Sequence, residues 1–234
     1  MKRNRVICLA IVIVMALMLF VGCAEKTDWE NVSKSTVIAN VDGYEVDMDL
    51  IKYFYAEQLA ADEIGAMLSG SMADFFGEEA LSEQSEEVAY DNCIDIVLAY
   101  AALERVAVNK NLAEIYDNAR EKAYEELILS TKNSASGYEY FAQYTEKIKS
   151  NYTATDDALC DIAGELYMLR DSAENLINDY YNKGSYESKD DAIKDITSKL
   201  KEEIKDIDAK ILYPSEKKAD IKIDSIVENF LSLK

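Results

Sequence analysis

The chain has 234 residues and no histidine, so the side chain most used for proton transfer and for metal ligation is missing. What remains for chemistry is an abundance of carboxylates, four cysteines and a tyrosine-rich aromatic set. Adjacent carboxylates occur at Glu78-Glu79, Glu86-Glu87, Asp156-Asp157 and Asp190-Asp191. Such pairs can serve hydrolysis or hold calcium. These fall at the starts of helical patterns, where the helix dipole and solvation favour acids, and none has EF-hand spacing. No catalytic residue, metal or cofactor is therefore expected. Cys93 and Cys160 lie in helical stretches and lack the histidine that a catalytic thiol needs. Two readings stay open for them, a disulfide in an oxidising compartment or two buried free thiols, because connectivity is not legible in spacing. The aromatics are the richer signal. Tyr53, Phe54, Tyr55, Phe75, Phe76, Tyr138, Tyr140, Phe141 and Tyr144 are the candidates for lining a groove that takes an extended chain. Tyrosine offers a large apolar face, a polar tip and few rotamers, which suits adaptable binding. The competing reading is that they pack between helices.

The first residues set the compartment. Lys2, Arg3 and Arg5 precede an unbroken apolar run over residues 6–21, followed by Gly22 and Cys23. A basic start, an apolar stretch too short for a spanning helix and a small residue before the cut are the parts of a secretory signal. Phe20-Val21-Gly22-Cys23 resembles the lipobox of bacterial lipoprotein precursors, with phenylalanine where leucine is usual. The resemblance implies cleavage before Cys23 and acylation of its thiol, palmitate being a typical chain. Two acyl chains give stable anchoring where one does not.

Cleavage would remove three of the 25 basic residues and none of the 45 acidic ones, leaving 22 against 45 and a net charge of −23. That balance excludes nucleic acid and anionic lipid as partners of the folded part. Residues 24–36 are polar and aperiodic, a tether reaching roughly 20 Å if flexible. Trp29 lies within it, suited either to a headgroup interface or to ordinary packing.

One proline and eight glycines favour long helices. Residues 37–41 read as a strand, Asp42-Gly43 as a two-residue turn, and residues 44–46 as the return strand. Asp47 is placed to cap a helix from Met48 to about Leu68. Residues 69–80 read as an irregular connection. Further helices are expected over 82–109, 112–130 and 156–182, the last capped by Thr155 and stopped by Gly184. Ser188 and Asp191 open another, whose seam of Ile193, Ile196, Leu200, Ile204, Ile207 and Ile211 carries it to Pro214. Residues 219–224 alternate as a strand does, and Ser225 caps a final helix.

The order of these elements is familiar. The run Val37 to Asp47, followed by a helix bearing Tyr53-Phe54-Tyr55, resembles the opening of the N-terminal chaperone module of the SurA and PrsA families, itself related to the peptide-binding part of trigger factor. The aliphatic and alanine helix around residues 94–103 fits the same module. The similarity is clearest over 36–132. PrsA-like proteins are lipoproteins, in agreement with the leader. The parvulin prolyl-isomerase domain common in those families has no room here, and its active-site histidines are absent, so isomerase activity is not implied.

The expectation is a mainly α multi-helix module with a small β-element, residues 219–224 returning to pair with 37–41. Its domains are a signal peptide at 1–22, a lipid-anchored tether at 23–36 and a helical body at 37–234. The expected role is a non-enzymatic foldase-type chaperone on the outer face of the bacterial cytoplasmic membrane, holding unfolded or extended segments of exported proteins. Two alternatives are a lipoprotein docking one folded partner and an enzyme relying on carboxylates and tyrosines.

Overall fold

A computed structural model describes residues 27–67, 86–113, 119–129 and 139–232. The chain divides into two compact units, Met1–Asn31 and Val32–Lys234. Within the first, Trp29–Asn31 forms one turn of 3-10 helix, closed by the Asn31 amide donating to the Asp28 carbonyl at 3.2 Å. Trp29 itself is buried.

The second unit is mainly helical with a small antiparallel sheet. Strand β1 (Val37–Val41) and strand β2 (Tyr44–Asp47) form a hairpin whose turn residues, Asp42 and Gly43, both adopt positive φ. This is the primed turn that Asp-Gly favours, because its twist matches that of the strands. The Asn40 side chain accepts the Gly43 amide at 3.0 Å and tightens it.

Residues 32–36 belong to this unit and not to a flexible tether. Thr36 and Lys34 carbonyls accept the Met48 and Asp49 amides, both at 2.9 Å. Helix α1 (Met48–Met67) starts there, capped by Asp47 accepting from the Leu50 amide at 3.0 Å. Helix α2 (Glu86–Asn109) is followed by a turn in which Asn111 takes φ +57°. The helix expected over 112–130 is shorter and irregular. Residues 112–113 are non-helical, and α3 (Ala119–Ala123) passes into a π-helical turn at Tyr124–Leu129.

Helix α4 (Glu139–Tyr152) packs along α1. Its buried Thr145 hydroxyl donates to the Leu127 carbonyl of the π turn at 3.1 Å. Helix α5 (Asp156–Lys183) is the axis of the body, touching α1, α2 and α3. Thr155 caps it, accepting from the Ala158 amide at 3.3 Å. At its far end Gly184 is extended, not left-handed. A Cβ there would meet the tip of the Tyr186 ring, 2.1 Å from its Cζ, so the ring would have to swing aside for any other residue.

Helix α6 (Lys189–Ile204) begins at the Ser188 cap and ends well before Pro214. The isoleucine seam therefore changes character: Ile207 lies in a turn and Ile211 in strand β3 (Ala209–Ile211). That strand, not 219–224, is the return strand, pairing antiparallel with β1 through Ala39–Ile211 and Val41–Ala209. Both readings suit the residues, since positions 207, 209 and 211 are apolar at period two as well as at helical spacing. The unpaired backbone of β1 decides between them, because a buried strand edge must find hydrogen bonds. A two-residue strand β4 (Lys217–Lys218) completes the order β2-β1-β3-β4. Of the expected strand, only Ala219 joins the ladder, its amide donating to Ala209 at 3.0 Å. Helix α7 (Asp224–Ser232) closes the fold, one residue ahead of the expected Ser225 cap. Among the described residues no helix is long and apolar enough to cross a membrane.

Candidate functional site

Helix α1 buries Leu50, Ile51, Tyr53, Phe54, Ala56 and Ala60 at helical spacing, and Glu57 sits on the same buried face with 4% of its surface exposed. A carboxylate there needs a partner, because an isolated buried charge is prohibitively costly. Arg170 supplies it from α5. Its Nη1 donates to Glu57 Oε1 at 2.9 Å and its Nη2 donates to Oε2, a forked pair that joins the two helices.

Aromatic side chains from four helices surround the pair. The guanidinium carbon lies 5.3 Å from the Phe54 ring centre and 5.9 Å from that of Tyr100 on α2. Tyr144 of α4 hydrogen-bonds Glu57, and Arg170 hydrogen-bonds Tyr100. Tyr167, one turn before Arg170, lies beside Tyr53. Tyr53 is fully buried against Tyr152, edge to face, with ring centres 5.7 Å apart.

Exposure and desolvation in this cluster diverge. Tyr100, Tyr144 and Tyr167 are only half-buried, and the Arg170 side chain keeps 23% of its surface accessible. Yet burial is the largest influence on all three phenols, pushing each above the ordinary tyrosine range. Burial also opposes the Arg170 charge, and the attraction and hydrogen bonds of Glu57 more than restore it. Solvent thus reaches one edge of a densely packed cluster.

The aromatics singled out by sequence divide. Tyr53 and Phe54 are buried within this cluster, Tyr144 is half-buried at its edge, and Tyr55 is half-buried and stacked on Tyr90 at 4.3 Å. Tyr140 and Phe141 have backbone in α4, but their side chains lie outside the description. Phe75, Phe76, Tyr138 and Cys23 lie outside the described residues. Glu57, Tyr100, Tyr167 and Arg170 escaped sequence reading. Their signal was present: Glu57 among core-facing positions of α1, and Arg170 between Leu169 and Ala173 on α5, are charges on apolar stripes.

Cys93 and Cys160 are free and both buried, so the disulfide expected as one alternative is not formed. The reason is register. Tyr100 meets Arg170, while Glu104 and Glu165 both face Tyr44, so α2 and α5 run antiparallel. Cys93 then stands level with the region of Leu176, roughly 24 Å along α5 from Cys160 at 1.5 Å per residue. A disulfide needs Cα atoms about 4–7 Å apart. Burial raises both thiols, which disfavours thiolate chemistry.

A second polar cluster joins sheet to helices. The Tyr44 hydroxyl donates to Glu165 of α5, and Arg105, paired to Glu104, lies over the Tyr44 ring with 5.6 Å to its centre. Nearby, Tyr152 donates to Asp49 at 2.6 Å, and Lys34 stands 3.4 Å over the Tyr152 ring. Every hydroxyl and carboxylate here has a partner within the protein, so this cluster fastens and offers nothing outward. Among the described residues no three metal-ligating side chains converge. The half-buried tyrosines around Glu57 and Arg170 offer ring faces and hydroxyls for stacking and hydrogen bonding. No family model, curated protein or solved structure matches the chain.

Proposed function

We propose that the protein is an extracytoplasmic lipoprotein, anchored through Cys23, that holds extended or unfolded polypeptide segments without covalent chemistry. The observation that carries this reading is the tyrosine cluster around the Glu57–Arg170 pair, in which Tyr100, Tyr144 and Tyr167 are half-buried and not sealed in the core. Phenol rings give broad apolar contact, their hydroxyls adapt to varied polar groups, and the neutralised ion pair adds no net charge to select against. The acidic exterior keeps a loaded binder soluble and draws basic segments.

The test is suppression of aggregation. Several unrelated denatured proteins should stay soluble at near-stoichiometric ratios of this chain, and the double variant Tyr100→Ala/Tyr167→Ala should lose most of that effect while staying folded. Failure with every client defeats the proposal. A second reading, docking of one folded partner, draws support from Tyr53 and Phe54, which pack into the core in place of an open groove. Capture of a single native protein with no effect on denatured clients would favour it.

A further inference from the structure

We infer that a short tether makes the end of the body where α1 and α5 begin its lipid-facing end, and so lifts the Glu57–Arg170 cluster clear of the headgroups. This rests on the anchoring through Cys23 proposed above and adds which surface the membrane meets.

The free part of the chain ends earlier than its polar composition suggests. Val32 is buried, and its carbonyl accepts from Lys52 Nζ at 2.8 Å. The Lys34 and Thr36 carbonyls accept the Asp49 and Met48 amides, both at 2.9 Å. Lys34 also pairs with Asp49 at 3.0 Å and stands over the Tyr152 ring. Residues 32–36 are thus fastened to the first turns of α1. From Cys23 to Val32 the numbering advances by only nine residues. Fully extended, that length of chain spans at most about 32 Å. As a flexible coil it averages about 17 Å.

The fastened strip lies beside the start of α5. Tyr152, under Lys34, donates to Asp49 at 2.6 Å. Three residues earlier, Lys149 pairs with Asp156, the first residue of α5, at 3.0 Å. From there α5 runs 28 residues to Lys183, about 42 Å at 1.5 Å per residue. Tether and helix lengths then decide the orientation. With the Lys183 end against the bilayer, residues 32–36 would stand about 42 Å above it, beyond the roughly 32 Å that the extended chain can span. Covalent length alone closes that orientation. Tilted bodies are allowed only while the far end stays out of the lipid, so on average the start of α5 is the lower end. Arg170 follows Asp156 by 14 positions, which puts the cluster about 21 Å up an upright helix. The headgroup layer of one leaflet is about 5–8 Å thick, so a segment bound there has already left the bilayer.

The experiment uses the full acylated chain in phosphatidylcholine nanodiscs that carry a small fraction of headgroup-labelled acceptor lipid. A donor dye is placed on Ser150→Cys, near the start of α5, or on Ser185→Cys, beyond its end, both at exposed positions. Cys93 and Cys160 are buried, and wild type taken through the same labelling supplies the background. Energy transfer to the lipid should be at least twofold stronger from position 150 than from 185. Insertion of a Gly/Ser stretch of about 20 residues after Lys26 raises the average reach to about 30 Å and should bring that ratio close to one. Equal or reversed transfer with the native tether overturns the inference and leaves the proposed binding of polypeptide standing. A ratio unchanged by the long tether overturns it too, because orientation would then come from contact with lipid. No transfer from either site means that the chain is not anchored, which defeats the inference and the anchoring it rests on. Should either variant fail to fold, Glu146→Cys and Asn182→Cys, likewise exposed, take their places.

Discussion

At the scale of single residues, the Glu57–Arg170 pair is the feature on which most else depends. It ties α1 to α5 and orients Tyr100 and Tyr144 through hydrogen bonds. The stability it adds is nonetheless small, because desolvation of two charges consumes most of their attraction. Breaking it from one side is a different matter. Glu57→Gln leaves the guanidinium buried and unanswered, so a loss of about 3 kcal/mol is expected from the shift of the urea midpoint. The double variant Glu57→Gln/Arg170→Met should recover most of that loss and still disturb the tyrosine positions. A double variant as unstable as the single one would mean that the pair stabilises the fold in its own right.

At the scale of elements, α5 is held against α3 by closeness of backbone. A Cβ on Gly164 would stand 2.7 Å from the carbonyl carbon and oxygen of Ala119. Two effects oppose each other in Gly164→Ala: helix propensity favours alanine by about 1 kcal/mol, while overlap with a backbone that cannot rotate away costs about 1–3 kcal/mol. The clash should win, giving a net loss measurable by thermal unfolding; a stabilised variant would show that α3 is free to retreat. The sequence contains Gly164 but not its reason, since nothing local distinguishes a contact glycine from a tolerated one. The same limit explains what else was legible. The Asp42-Gly43 hairpin, the Asp47 and Thr155 caps and the long helices follow from local chemistry and were read with bounds close to those observed. The return strand was misplaced because residues 207–211 satisfy both periods, and only the open edge of β1, a non-local partner, chooses. The tyrosine cluster was half legible for a related reason. Tyr53, Phe54 and Tyr144 announced themselves as aromatics, but a buried charge pair becomes visible only when Glu57 and Arg170, 113 positions apart, are brought together.

At the scale of the whole molecule, 45 acidic residues face 25 basic ones, and the fold must carry that imbalance. It does so largely by leaving carboxylates in solvent, which makes the exceptions informative. Glu165 is raised above its ordinary value of 4.5 by burial, and by the charges of Asp47 and Asp49, with the Tyr44 hydroxyl partly opposing them. Asp47 is raised as well, chiefly by burial. The groups facing Glu165 are thus Tyr44 and Asp47 from β2 and Asp49 from α1, with Glu104 and Arg105 of α2 around the same tyrosine. The sign follows from proton counting. In the window above pH 4.5 the folded state keeps a proton on Glu165 that the unfolded chain has released, so stability falls as pH rises through the native value. Acidification through the same window regains it. General self-repulsion of a polyanion slopes the same way, so wild type alone does not separate the two causes. Glu165→Gln does. It removes one titrating carboxyl, changes net charge by one in 20 and still offers an acceptor to Tyr44. Urea midpoints between about pH 5 and 7 should decline less steeply in this variant than in wild type, with its stability at neutral pH equal or higher. Parallel slopes would assign the whole pH dependence to surface repulsion and leave the sheet–helix junction electrostatically silent.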